Sequence, residues 1–385
     1  MSEYQFVAFR AIDAPVSRKN LTYMRRQSSR AEVTPRSFVN EYTYGDFRGD
    51  AVEMLRRGYD IHLHYANFGI RSIFIRLPHG FPDSEAAQSY LDGESIRFLK
   101  DKTGSGGTLA IEPRHEPGDL EELWDIERWL DRLIPIRSEI LEGDLRPLYL
   151  AHLAVSCDLE HDPEETVEAS LPAGLESITK AQRALARFYE ISDALVAAAV
   201  QEIGPTPTVE DSSKVHLAWL HSQSASQKDA WLAELMRGPS SKVRSDILAQ
   251  FRKDQPSARW PTVELGRTIA ELRQTSNEIQ QAIDDRSAAE AARKRASKLA
   301  KMADDPKPYL DQTEKLVAQR TTAAYNKVGR LLADLREALA ETGRWGLAEQ
   351  QAEKLTKKHP TLRHLTAALR RKGFVPKQVS GRKTR

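Results

Sequence analysis

The chain has 385 residues, 40% hydrophobic and 29% charged, with a net charge of +2 and one cysteine. This length is too great for one ordinary core and points to two or three domains. The near-zero net charge excludes a whole-protein field aimed at nucleic acid, and the lone Cys157 excludes an internal disulfide and a cysteine-rich metal site and fits a reducing compartment.

The N-terminus, MSEYQFVAFR, lacks the basic start and apolar run of a signal peptide. No stretch reaches the roughly 18 apolar residues that a spanning helix needs. A cytoplasmic protein with no membrane partner is expected.

Residues 4–10 read as a first strand and 18–30 as a short helix. Ser37–Tyr44 is β-branched and aromatic and stops at Gly45, which predicts a strand with Phe38, Asn40, Tyr42 and Tyr44 on one side. A turn or two of helix at 50–57 precedes two strands, Asp60–Tyr65 and Arg71–Arg76, whose Asn67 and Gly69 favour a tight connection. A short helix at 83–91 and a hairpin of Ser95–Leu99 with Thr108–Ile111 complete an α+β domain, 1–112, with a ferredoxin-like element order.

A Pro- and Gly-containing linker, 113–119, leads to a helical domain, 120–260. Leu120, Leu123, Trp124, Ile126, Trp129, Leu130 and Leu133 recur at helical spacing until Pro135 interrupts or restarts the helix. A stripe from Leu145 to Leu153 and an acidic loop at 158–170 follow. One helix is expected over Thr179–Val200, ended by Pro205 and Pro207, and short helices over 210–220, 225–236 and 240–252. A long-helix region spans 261–373. Leu265, Ile269, Leu272, Ile279 and Ile283 keep a broken heptad seam there, with Ser276 at the missing position. One helix is expected near Tyr309–Glu341, then a pair at 346–358 and 361–372 stopped by Gly373, and a disordered basic tail at 374–385.

Four separated blocks resemble a large family of uncharacterised bacterial proteins. The first is Arg30-Ala31-Glu32-Val33-Thr34-Pro35, Ser37-Phe38-Val39-Asn40-Glu41-Tyr42, Gly45-Asp46-Phe47 and Gly49-Asp50. The second is Pro135-Ile136-Arg137 with Gly143-Asp144-Leu145-Arg146 and Leu148-Tyr149-Leu150, and the third Thr262-Val263-Glu264-Leu265. The last runs from Ala324-Tyr325 through Leu331-Leu332, Asp334-Leu335-Arg336 and Lys357-Lys358-His359-Pro360 to Gly373-Phe374. The chain departs from the pattern at Asn326, where Asp is usual, and at Thr43-Tyr44, where His-Trp is usual. The resemblance implies an architecture and no particular reaction.

The densest polar cluster is Arg30, Glu32, Asn40, Glu41, Tyr42, Asp46, Arg48 and Asp50. It reads either as a salt-bridge network, with Glu41 a buried partner of Arg30 or Arg48, or as a binding or catalytic surface. His62 and His64 share one face of a strand, and metal ligation there would need a further ligand from the fold. Gly104-Ser105-Gly106-Gly107-Thr108 lacks the Lys-Ser/Thr of a P-loop and reads as a hairpin turn. Cys157 and His152, five residues apart, do not define a dyad. No metal and no cofactor are expected.

Residues 351–385 hold eleven Lys and Arg against one acidic residue, Glu353. Lys354, Lys357, Lys358, Arg363, Arg370, Arg371 and Lys372 are candidate contacts to phosphates or to an acidic partner. Arg286, Arg293, Lys294, Arg295, Lys298 and Lys301 make a second basic stretch at 286–301. The expected function is that of a non-catalytic protein-interaction or scaffold protein with a protein partner. Nucleic-acid binding through 286–301 and 351–385, an enzyme centred on 30–50, and a homo-oligomer through the long helices stand as alternatives.

Overall fold

The computed structural model describes residues 3–114, 126–156, 164–201, 212–237, 240–255 and 259–376. The chain forms two compact units, Met1–Gln280 and Gln281–Arg385.

The first unit begins with β1 (Gln5–Arg10), α1 (Arg18–Gln27), β2 (Glu32–Val33), β3 (Ser37–Tyr42), α2 (Ala51–Arg56), β4 (Ile61–Ala66), β5 (Ile70–Leu77), α3 (Ser84–Gln88), β6 (Ile96–Lys100) and β7 (Gly107–Ile111). These seven strands form one sheet, ordered β2-β3-β1-β4-β5-β7-β6. All its pairs are antiparallel. The α+β class is as expected. The ferredoxin-like order is not: that arrangement returns the chain after its first helix parallel to β1 and one strand away from it, whereas here the chain reverses at Thr34–Ser37, Thr34 N–H to the Ser37 carbonyl at 2.8 Å, and enters β3 directly beside β1 and antiparallel to it.

Strand periodicity sorts the sheet into two faces. Phe6, Ala8, Ile61, Leu63, Tyr65, Ile73 and Ile75 point to one core. That core is closed by Ile126, Trp129, Leu130 and Leu133 of α4 (Ile126–Leu141). Val7, Phe9, Phe38, Tyr42 and Phe74 point to the other, under Leu21 and Met24 of α1 and Met54 and Leu55 of α2. Asp50 caps α2 by accepting the Glu53 N–H at 2.9 Å. Helix α4 continues through Pro135, which neither interrupts nor restarts it. The proline is exposed while Leu133 and Ile136 are buried, so the displaced carbonyl of residue 131 lies on the side that water reaches.

The unit continues with α5 (Arg146–Ser156), β8 (Leu171–Pro172), α6 (Lys180–Phe188), α7 (Asp193–Gln201), α8 (Ser212–Ser222), α9 (Ala225–Arg237), α10 (Ser240–Asp254) and β9 (Thr262–Val263). β8 and β9 pair as a two-stranded sheet that the sequence reading missed. The helix expected over Thr179–Val200 is two helices. Glu190 turns left-handed (φ 56°) after α6, and Ser192 starts the next helix by accepting the Leu195 N–H at 3.0 Å. Pro205, Pro207 and Cys157 lie outside the described residues, as do most of the 113–119 linker and the tail from 377.

Helix α11 (Ile269–Asp304) opens in the first unit, where Ile269 and Leu272 join the core and Ser276 is buried. The front of the heptad seam is therefore occupied by the unit's own interior. From 281 to 298 the helix is exposed on every side. The second unit adds α12 (Lys307–Ala318), α13 (Thr322–Ala338), α14 (Leu347–Lys358) and α15 (Arg363–Arg371). Its core joins Met302, Val317, Val328, Leu332, Leu355, Leu365 and Leu369. The single helix expected near Tyr309–Glu341 is divided at Arg320, also left-handed (φ 54°), and restarted by Thr321, which accepts the Ala324 N–H at 3.2 Å.

Candidate functional site

The structure divides the polar cluster of residues 30–50. Asn40 and Tyr42 are buried on the sheet face that α1 and α2 cover, Asn40 donating to Ser28 Oγ at 3.0 Å. Opposite them in register stand Val7 and Gln5 of β1. The Gln5 side-chain amide donates to Asp46 Oδ1 at 2.8 Å and accepts from His64 Nε2 at 3.0 Å. Arg30, Glu32, Glu41 and Arg48 are exposed. Among the described residues no ion pair joins any of them. The expected salt-bridge network with a buried Glu41 is thus corrected: Glu41 projects from the other face of β3, and its carboxylate, with burial, raises the Tyr4 hydroxyl pKa. Asp50 is spent on the α2 cap. Glu41, Asp46 and Asp50 do not converge on one pocket, as a catalytic site at 30–50 would require.

His62 and His64 do share a face, stacked into the aromatic layer. The His62 ring lies 4.0 Å from that of Phe9. Its Nδ1 lies 3.1 Å from the Ala8 carbonyl oxygen, so that nitrogen carries the proton. Burial lowers His62 to about 3 and His64 to about 4, with the Asp46 carboxylate partly opposing the shift at His64. Both imidazoles are neutral over the physiological range. Tyr65 faces the opposite core and His79 pairs with Asp246 at 2.8 Å, so neither completes a metal site. Among the described residues no group of three or more His, Cys, Asp or Glu could hold a metal ion.

The Gly104–Thr108 segment is a hairpin connection. A Cβ on Gly106 would lie 2.4 Å from the Pro78 carbonyl oxygen, and one on Gly107 2.5 Å from the Phe98 ring, so close packing dictates both glycines. His152 accepts the Ala169 N–H at 3.1 Å and serves the fold.

Three buried ion networks were invisible in the sequence as pairs. Arg137 donates to both Asp13 oxygens, at 2.9 and 2.5 Å, and to the Arg76 carbonyl at 2.8 Å, with Asp60 at 3.4 Å. Arg146 holds Asp144 in a fork and reaches the Gly174 carbonyl at 3.0 Å. Gln182 ties Asp144 to Glu139 at 2.8 and 2.9 Å. Arg267 holds Glu168, which also accepts from Tyr149. Arg137, Asp144, Arg146 and Tyr149 belong to the blocks of the bacterial resemblance. Each is at the heart of a packed, hydrogen-bonded junction between elements.

The basic residues of the second unit fall into two groups. Lys354 and Lys358 pair with Glu314 at 2.7 and 3.2 Å, holding its carboxyl down at about 2. Lys357 pairs with Glu353, Arg371 with Asn326 and Arg370 with the Pro376 carbonyl. On α11, Arg295 and Lys298 reach Asp334, and Lys294 reaches Glu290. Arg293, Lys301, Arg330, Arg363 and Lys372 are exposed, and among the described residues their side chains meet no carboxylate. Two grooves collect four of these five, all but Arg363. One, of ≈ 540 Å³, is lined by Glu290, Arg293, Lys294, Ser297, Lys298, Lys301 and Tyr309. The other, of ≈ 280 Å³, is lined by Asn326, Arg330, Arg371 and Lys372.

An apolar feature on α8–α10 also escaped the sequence reading. Trp219, Trp231 and Phe251 form a small core. A groove of ≈ 360 Å³ beside it is lined by Leu217, Leu220, Leu235, Ile247 and Phe251. Trp219 and Trp231 were separated by a predicted helix boundary, which hid the pairing. No helix among the described residues is long and apolar enough to cross a membrane. Comparison of this chain with family models, with curated proteins and with solved structures finds no match.

Proposed function

We propose that this chain is a non-catalytic binding protein whose second unit holds nucleic acid by its phosphates. One observation carries the reading: charge is segregated between the two units. Residues 281–385 contain 24 Lys and Arg against 12 Asp and Glu, a net +12. With +2 for the whole chain, residues 1–280 carry a net −10. A field of that sign and density attracts a polyanion, and counterion release from phosphates drives the association. The free cations in the two grooves would touch phosphates, and Tyr309 offers a ring to an unpaired base. Among the described residues no base-reading helix or aromatic platform accompanies them, so the reading is of sequence-tolerant binding.

Reversing Arg293, Lys301, Arg330 and Lys372 to Glu removes the unpaired cations of the two grooves and leaves the internal ion pairs intact. Fluorescence anisotropy with a short labelled DNA or RNA should show affinity falling by more than about tenfold, as expected for several lost phosphate contacts. Unchanged affinity in a folded quadruple variant would overturn the reading.

A second reading, docking of a partner protein, is favoured by the apolar groove on α8–α10, whose lining residues Leu217 and Leu235 are 52% and 40% exposed. The helical face of an amphipathic partner suits a groove between helices. Replacing Leu217 and Leu235 with Glu should release such a partner, and a complex that survives both changes would exclude this face.

A further inference from the structure

We infer that the free edge of β6 is a docking site for an extended peptide of a partner protein, which pairs with it as an added strand. The sheet has two edges. β2 is two residues long, exposed, and followed two positions later by Pro35, so it offers almost nothing to pair with. β6 is five residues long and has open space beside it.

The register identifies which backbone groups are free. Asp101 N–H donates to the Gly106 carbonyl, and Glu112 N–H to the Ser95 carbonyl. In an antiparallel ladder these bonds recur at every second residue, so residues 95, 97, 99 and 101 bond inward to β7. Residues 96, 98 and 100 therefore point outward. Ile96 is closed off: its N–H goes to Asp92 Oδ1 at 2.8 Å, and its carbonyl accepts from Gly93 at 3.3 Å. The Lys100 carbonyl accepts from Arg56 at 3.4 Å. The Phe98 N–H and carbonyl and the Lys100 N–H have no protein partner among the described residues. Outward-facing groups of this kind are what strand addition uses.

The space beside them has the form of a strand's neighbour. A groove of ≈ 860 Å³ is lined by all five residues of β6 together with Phe81, Glu85 and Leu91. The Phe81 and Phe98 rings, 4.8 Å apart, make its floor apolar. Lys100 is exposed and meets no carboxylate among the described residues, whereas Arg97 is held by Glu112. The fitting occupant is an extended segment that places an apolar side chain over Phe81 and Phe98 and a carboxylate two residues away, on the same face, beside Lys100. Only two edge residues remain to pair, so the contact is weak and exchangeable.

The test uses the full chain and the labelled peptide acetyl-TVEVFVT-amide, whose Glu and Phe are two residues apart on one face of an antiparallel added strand, with a proline-interrupted version as control. Anisotropy should show saturable binding below about millimolar Kd, and amide exchange at Phe98 and Lys100 should slow. Lys100→Pro deletes an outward N–H and should weaken binding by about tenfold while the inward ladder stays whole. Lys100→Glu keeps the backbone and should weaken the peptide carrying glutamate more than one carrying glutamine. No saturable binding, protection that appears elsewhere than β6, or equal affinity of the Lys100→Pro variant would overturn the inference. So would a dimer of this chain formed through β6. None of these readouts depends on the second unit, so failure here leaves the nucleic-acid reading standing.

Discussion

His62 and His64 set the acid limit of the first unit. An unfolded histidine titrates near 6.5, while these two titrate at about 3 and about 4 when folded. Below pH 6.5 the unfolded chain binds protons that the native chain refuses, so stability is full above that pH and falls as pH drops toward 4. Each residue contributes about 1.4 kcal/mol per pH unit over that window. Urea unfolding between pH 4 and 7 should show this slope, and His64→Gln should remove about half of it. Arg137 is the other decisive side chain. Arg137→Leu strands Asp13 and Asp60 in the interior and should cost about 3–5 kcal/mol. Adding Asp13→Asn and Asp60→Asn should recover much of the loss, and a cost under about 1 kcal/mol would refute the buried triad. The shared face of Asn40 and Tyr42 was legible from strand periodicity alone. The Gln5–Asp46–His64 chain was not, because it depends on the β3-β1-β4 register, and periodicity within one strand carries no register.

The elements that sequence reading places well are those with local punctuation. Asn67 and Gly69 mark the β4–β5 turn, the Gly104–Gly107 run marks the β6–β7 hairpin, and Gly373 follows the last helix. The two breaks that went unseen fall at Glu190 and Arg320, non-glycine residues in left-handed conformation. Nothing in either side chain favours that geometry, and the only local signs are the caps Ser192 and Thr321. Glu190 is held by buried Arg71 at 2.7 Å. Arg320 is exposed, so Arg320→Gly relieves its backbone and should stabilise the second unit by about 0.5–1 kcal/mol. A lowered melting temperature would contradict this. Gly329 marks the close approach of α13 and α15, a Cβ there lying 3.1 Å from the Ala368 carbonyl oxygen. Gly329→Leu should push the helices apart and destabilise the second unit by about 1–3 kcal/mol, read as an earlier thermal transition.

At the scale of the molecule the controlling fact is the opposition of a net −10 over residues 1–280 and +12 over 281–385. A whole-chain total of +2 conceals it, and inspection of the tail alone captures only part of it. Folding then decides which of those cations are free. Glu314, Asp334 and Glu337 occupy several that look available in the sequence, among them Lys354, Lys358, Arg295 and Lys298. Arg293, Lys301, Arg330 and Lys372 remain on the surface. The most direct test is the salt dependence of nucleic-acid affinity for the full chain. With about four or more phosphates neutralised, log K should fall against log salt with a slope of about −4 or steeper on duplex DNA. A flat salt dependence, or no binding at the lowest salt, would contradict the account.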